Sequence, residues 1–281
     1  MGTFYINVSV DLQSRTAARR ILLLRYNSSM SWATRRRLII ATSSWSSSRL
    51  SVAVSHSPLP SGALVHDNTQ NHGENGVDCG GPCNRLCALD VSPPSVRFAR
   101  SVSPVPGRTD VIAYIDNPNG AVAAKGAHYT VELYDSQNAV IARETGTVDL
   151  PPASTVPIFI PNLQTGERIP ARTFLTFDTA TISWYRYNAA LVHLPVSEIA
   201  ETATPTPRIT GTVTNPTTAV YGNLFVVATV FDGTGNAIAA SQTVVPRLQA
   251  QSNAPLVFTW PAPFTASSTR IDVVPVVPLS P

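Results

Sequence analysis

The sequence predicts an all-β protein: two tandem antiparallel β-sandwiches that follow a disordered N-terminal segment and a small cysteine-rich knot. Three observations carry this. The pattern of residues 111–160 returns in residues 209–260. Runs rich in Val, Thr, Phe and Ile, which suit a pleated and half-buried surface, stop repeatedly at turn chemistry. Charged residues are sparse at 13% while Pro reaches 24, a balance that fits β-rich extracellular modules better than a helical cytosolic enzyme. The expected order is 1–65, a basic and Ser-rich segment; 66–88, the cysteine motif; 89–200, the first sandwich; 201–207, a Pro-rich linker; and 208–281, the second sandwich.

Residues 1–65 stand apart in composition. Eight Arg face only Asp11 in residues 1–50, a balance of +7, so the remaining 12 basic and 16 acidic side chains leave residues 51–281 at −4. The part expected to fold is mildly acidic, which gives no footing for nucleic acid as a partner. No apolar run in residues 1–65 exceeds four residues, against the roughly 20 that span a bilayer, so as written there is no transmembrane helix. Yet Arg35-Arg36-Arg37 running into Leu38-Ile39-Ile40-Ala41 is how an anchor begins. Ser43-Ser44-Trp45-Ser46-Ser47 can be encoded by codons whose adjacent frame reads five valines. Two readings stay open: a single-pass anchor lost to a frameshift, or a low-complexity N-terminus.

Residues 66–87, HDNTQNHGENGVDCGGPCNRLC, form the most specific short motif. Three chemistries compete for it. Cys79, Cys83 and Cys87 are disulfide candidates in a small loop-rich knot. Zinc would draw on the same three cysteines with His72, at spacings unlike a zinc finger. Calcium would draw on Asp67, Asn71, Glu74 and Asp78, suitable oxygen donors without the spacing of an EF-hand loop.

In the first sandwich, Val96 to Ala99 reads as an edge strand, and Asp110 to Asp116 as a strand ending at Asn117-Pro118. His128 to Asp135, the turn Ser136-Gln137-Asn138 and Ala139 to Arg143 make a hairpin, and Thr173 to Asp178 and Thr181 to Tyr187 complete the domain, with Trp184 in its core. In the second, Thr210 to Asn215, Leu224 to Asp232, the turn Asp232 to Asn236 and Ala237 to Thr243 repeat the scheme, and Arg270 to Val277, with Pro275 in it, reads as an edge strand. Asn117 matches Asn215, Tyr134 matches Phe231, Ile141 matches Ile238 and Phe159 matches Phe258, at offsets between 97 and 99, the mark of a duplicated module. Each sandwich is expected to hold about seven strands. Alternation puts Val213, Phe225, Val227, Val230 or Phe231, Ile238 and Phe258 in the second core, with Trp260 capping one end.

The repeated Gly-x-Val-x-Asn-Pro, the long strand ending in aromatic-Asp and the small turn after it resemble the FxLYD-like and other immunoglobulin-like modules of bacterial surface proteins. The cysteine motif resembles one found beside the membrane anchor of such proteins, with Asp67, Asn71, Glu74, Asp78, Cys79, Gly80, Gly81 and Cys83 in matching positions. The leading Cys of that motif would fall at Val65, and the last gap is three residues, so three cysteines stand where the resemblance implies four.

No catalytic residue follows from the resemblance. His56, His66 and His72 lie in the irregular part, His128 and His193 in strand-like runs, and Asp135 and Asp232, placed alike after an aromatic, read as turn residues. No phosphate loop or HExxH occurs. The sequence thus predicts a non-enzymatic protein of the cell envelope, without a cofactor unless calcium, whose partner is an extracellular protein or glycan. A calcium-dependent adhesin or glycan binder and a secreted enzyme are the alternatives. A rod of two sandwiches would present Asp232 to Asn236 and Pro261 to Thr265 at its far end.

Overall fold

The computed structural model describes residues 67–71, 73–202 and 206–279. All of them belong to one compact unit, Pro58–Pro281. The expectations for residues 1–65, and for Val65, His56, His66 and His72, lie outside the described residues. No helix among the described residues is long and apolar enough to cross a membrane.

The protein is all-β, with antiparallel strands throughout and a single short 3-10 turn, Ala88–Asp90, among the described residues. The strands are β1 (Arg85–Leu86), β2 (Ser95–Val105), β3 (Arg108–Asn117), β4 (Val122–Tyr134), β5 (Val140–Leu150), β6 (Ser154–Leu163), β7 (Arg172–Phe177), β8 (Trp184–Arg186), β9 (Val196–Thr202), β10 (Arg208–Asn215), β11 (Tyr221–Phe231), β12 (Ala237–Leu248), β13 (Ser252–Thr259) and β14 (Arg270–Val276). Sheet I runs β1-β8-β4-β5 with β7 also on β4; sheet II is β2-β3-β6; sheet III is β12-β11-β14; sheet IV is β13-β10-β9.

The two halves share a topology. β2-β3-β6 corresponds to β9-β10-β13, and β5-β4-β7 to β12-β11-β14, so each half holds six matched strands where about seven were expected. The match extends to single bonds. Asn117 and Asn215, both buried at the ends of β3 and β10, donate through Nδ2 to Pro151 O and Gln249 O, and accept from the N–H of Asn119 and Thr217. Ala153 and Gln251, both at positive φ, donate to Asn119 O and Thr217 O. Every one of these pairs lies 98 positions apart. The hairpin tips match at 97: Asp135 accepts from Gln137 and Ala139 as Asp232 does from Thr234 and Asn236. The slip from 98 to 97 has a place in the structure, a bulge in β4 between Ala124 and Ala127 where Gly126 sits at φ 63° and β11 runs regular.

One pairing is corrected. Ile112 faces Phe159 as Thr210 faces Val257, so Phe159 corresponds to Val257, and Phe258 to Ile160. A one-residue slip moves a side chain to the other face. Ile160 and Phe258 are accordingly core residues, whereas Phe159 turns outward from the first core.

The linker expectation is also corrected in part. β9, Val196–Thr202, pairs with β10 as the first strand of the second sandwich, so the boundary falls in residues 187–195, which carry no strand. Its Glu198 bulge, at φ 56°, blunts an outer edge. The prolines follow the same logic of edges. Those inside strands, Pro104, Pro157, Pro161, Pro246, Pro255 and Pro275, all lie on outer strands, and the central strands β3, β4, β10 and β11 have none.

Sheets I and II enclose one core, which includes Val111, Ala113, Ile115, Val131, Leu133 and Trp184. Sheets III and IV enclose another, which includes Val213, Leu224, Val226, Val230 and Phe258. A third cluster joins the sandwiches: Val102, Ile112 and Tyr114 from sheet II meet Val227, Phe231, Ala237 and Ala240 from sheet III. The layers therefore stack in the order I, II, III, IV, and sheets II and III are covered on both faces. Phe231 stands edge-on to Phe98 and Tyr114, and the Tyr114 hydroxyl donates to Thr229 Oγ1 across the seam at 3.1 Å. Arg270 caps Phe231 at 3.9 Å from the ring centroid.

The core expectation for the second sandwich holds for Val213, Val230 and Phe258. Val227 and Phe231 are buried, but in the seam, and Ile238 is only partly covered. Phe225 is exposed, because it shares the outward face of Val227 beyond the area that sheet II covers.

Candidate functional site

The cysteine motif folds into a knot held on the first sandwich. Cys79 and Cys87 form a disulfide. Cys83 is free and buried, so it is the disulfide candidate that the structure removes. The zinc set fails on the same ground, since the sulfurs of Cys79 and Cys87 are bonded to each other and offer no thiolate.

Cys83 Sγ donates to Glu74 Oε1 at 3.1 Å. Burial, and then the bond to Glu74, push its pKa from 9.0 to about 11, with the Asp78 charge adding to the shift and Arg186 opposing it. Glu74 and Asp78 are both buried. Glu74 Oε2 accepts from the N–H groups of Asn71 and Asp78, each at 3.3 Å. Asp78 Oδ1 accepts from the N–H of Asp67 at 2.9 Å and of Asn68 at 3.1 Å. Asn71 Nδ2 donates to Asp67 Oδ2 at 2.8 Å. The four calcium candidates are thus brought together, and the carboxylates of Glu74 and Asp78 accept main-chain N–H groups, which closes the loop on its own backbone. No group of three His, Cys, Asp or Glu side chains shaped to hold a metal occurs among the described residues.

Glycine makes the tight path feasible. Gly81 has φ 54°, and a Cβ there would run into the Gly73 carbonyl. Docking comes from outside the motif. β1 pairs with β8, Arg186 donates through its guanidinium to Cys83 O at 2.7 Å and Gly81 O at 2.8 Å, and its N–H donates to Asn84 O. Sequence reasoning missed Arg186, which lies about one hundred residues downstream with no motif of its own.

The other candidates fall elsewhere. Asp135 and Asp232 close hairpin tips, as their spacing predicts. His128 lies on β4, exposed; His193 lies in the strandless connection, exposed, which corrects the strand reading. The two loops expected at the far end of a rod sit at the junction instead. Ala262, Pro263, Phe264 and Thr265 line a notch together with Val102, Ser103 and Pro104 of β2. Asp232 has its carboxyl held below the usual range by hydrogen bonds from Thr234 and Asn236, with the Arg100 charge of β2 contributing. Trp260 does cap an end: it is buried, donates Nε1–H to Ala240 O at 3.0 Å and stands edge-on to Phe264.

No protein-family model matches the chain, and no curated protein matches it. Among solved structures it is similar to the crystal structure of red sea bream transglutaminase, at 16% identity over 66% of this chain and 29% of that one, with a TM-score of 0.25. A likeness that slight carries neither fold nor activity across.

Proposed function

We propose that this chain is a non-enzymatic structural or interaction protein of the cell envelope, displayed outside the cytoplasm beside a single-pass membrane anchor. The observation that carries the reading is the Cys79–Cys87 disulfide inside a knot that docks on the first sandwich, because such bonds form and persist in oxidising compartments. The matching positions of the motif, Asp67 through Cys83, support the same address, and so does the resemblance of both sandwiches to bacterial surface modules. The knot gives the base of the molecule a fixed attachment, and the sandwiches offer outer faces to a protein or glycan partner. Glu74 and Asp78 accept backbone N–H groups, so calcium is the weaker reading, and a calcium titration that leaves Tm unchanged removes it.

Display has a direct test. Lys125 is the only lysine in the chain and is exposed at the β4 bulge. Intact cells expressing the protein, treated with a membrane-impermeant amine reagent, are expected to yield protein modified at Lys125. Modification that appears only after lysis would overturn the reading.

A further inference from the structure

The chain does not stop at its last strand. Beyond β14, Val277 packs on the second core while the preceding Val276 touches both the first core and the seam. Leu279 is 5% exposed, and its N–H donates to Asp149 Oδ2 at 3.1 Å. The same carboxylate takes the Gly126 N–H through Oδ1 at 2.8 Å, at the β4 bulge. One side chain of sheet I therefore holds both an irregular point of its own sheet and a segment that emerges from sheet III.

Pro275 precedes this crossing and Pro278 lies within it, and fixed φ angles lower the entropy lost in ordering it. Elsewhere the seam is joined by apolar contact among Phe98, Ile112, Tyr114, Val227 and Phe231, with Ala237 and Ala240 beside them, and by the Tyr114–Thr229 bond. Residues 187–195, where the chain passes from β8 to β9, carry no strand and can serve as a hinge.

We propose that residues 277–279 are a strap that holds the seam between the two sandwiches closed, with Asp149 as its fastening point. The inference is independent of the envelope reading. Releasing the strap lets the sandwiches part about residues 187–195 and uncovers Tyr114, Val227 and Phe231, while each sandwich keeps its own core.

The test uses the full chain carrying Cys83→Ser and one reporter thiol, introduced by Ala240→Cys in the seam or by Ala228→Cys in the second core. Adding Leu279→Ser is expected to speed alkylation of the seam thiol at least tenfold and to leave the core thiol unchanged. Asp149→Asn, which keeps an acceptor for Gly126, is expected to act in the same direction and serves if the Leu279 variant fails to fold. An unchanged seam rate in the folded variants, or equal acceleration of seam and core thiols, would overturn the proposal.

Discussion

Asn117 and Asn215 show what a single duplicated side chain can do. Each is buried, and each donates to carbonyls of the chain segment that follows the next hairpin, Leu150 O and Pro151 O in one copy and Gln249 O in the other. Replacing Asn215 with Ala removes the donor to Ala219 O and Gln249 O and the acceptor of the Thr217 N–H, at about 0.5–1.5 kcal/mol per bond, which a urea titration will read as a lower midpoint at unchanged slope. Alongside Tyr129, Tyr134 and Tyr185, whose phenols are also pushed up, Cys83 and Tyr114 contribute to the response to alkali. Burial chiefly raises the thiol from 9.0 to about 11 and the phenol from 10.0 to about 12. Both groups bind their proton more tightly in the folded state. The stability they contribute is therefore complete below about pH 9 and is lost as pH rises through the folded values. Cys83→Ser is expected to flatten the part of this loss between pH 9 and 11, measured by urea midpoints across that range. In the native protein at pH 8, Cys83 should resist alkylation until denaturant is added.

At the scale of elements, the knot depends on two features that act separately. Gly81→Ala would place a methyl group against the Gly73 carbonyl at a left-handed backbone position, so the oxidised knot should form slowly and its disulfide should reduce more readily. Arg186→Ala leaves the knot covalently intact and removes its docking bonds. Amide exchange is expected to rise in residues 79–87 and to stay unchanged in β3 and β11. The turns and strand edges were legible in the sequence because each rests on local chemistry, Asp135 and Asp232 after an aromatic and the proline in β14, whereas the equal spacing of Cys79, Cys83 and Cys87 marked a motif without saying which two pair. Arg186 was not legible, because a long-range docking bond leaves no local pattern. The seam left a trace that strand alternation alone does not expose. At equivalent positions Ile112 and Tyr114 stand against Thr210 and Thr212, while Val227 and Phe231 stand against Thr130 and Tyr134. Each copy carries apolar residues on the outer face of the sheet that meets the other copy and more polar ones on the corresponding outer face that does not. Comparing the copies with each other, rather than each with an ideal strand, reveals which faces are sealed.

For the whole molecule, the third apolar cluster decides between two independent sandwiches on a linker and one cooperative body. Ile112, Tyr114, Val227 and Phe231 are all buried in the seam, and the burial of each depends on both sandwiches being folded. Truncating a buried Phe to Ala costs about 3–5 kcal/mol, a large fraction of a typical stability of about 5–15 kcal/mol. With the strap at residues 277–279 fastened to Asp149, neither half therefore loses its partner cheaply. Calorimetry of residues 67–281 is expected to give one transition whose calorimetric and van't Hoff enthalpies agree, and two resolved transitions would refute the cooperative body. The Tyr114–Thr229 bond provides the finer probe, since it is a side-chain hydrogen bond that crosses the seam between buried groups. Tyr114→Phe leaves the Thr229 hydroxyl buried and unpaired, which costs about 1–3 kcal/mol, and Thr229→Val leaves the phenol in the same state. The double variant removes both polar groups, so its loss should fall short of the sum of the single losses by about 1 kcal/mol or more. Additive losses would mean that the two hydroxyls do not meet in solution, and with that the cross-seam register between sheets II and III would fall.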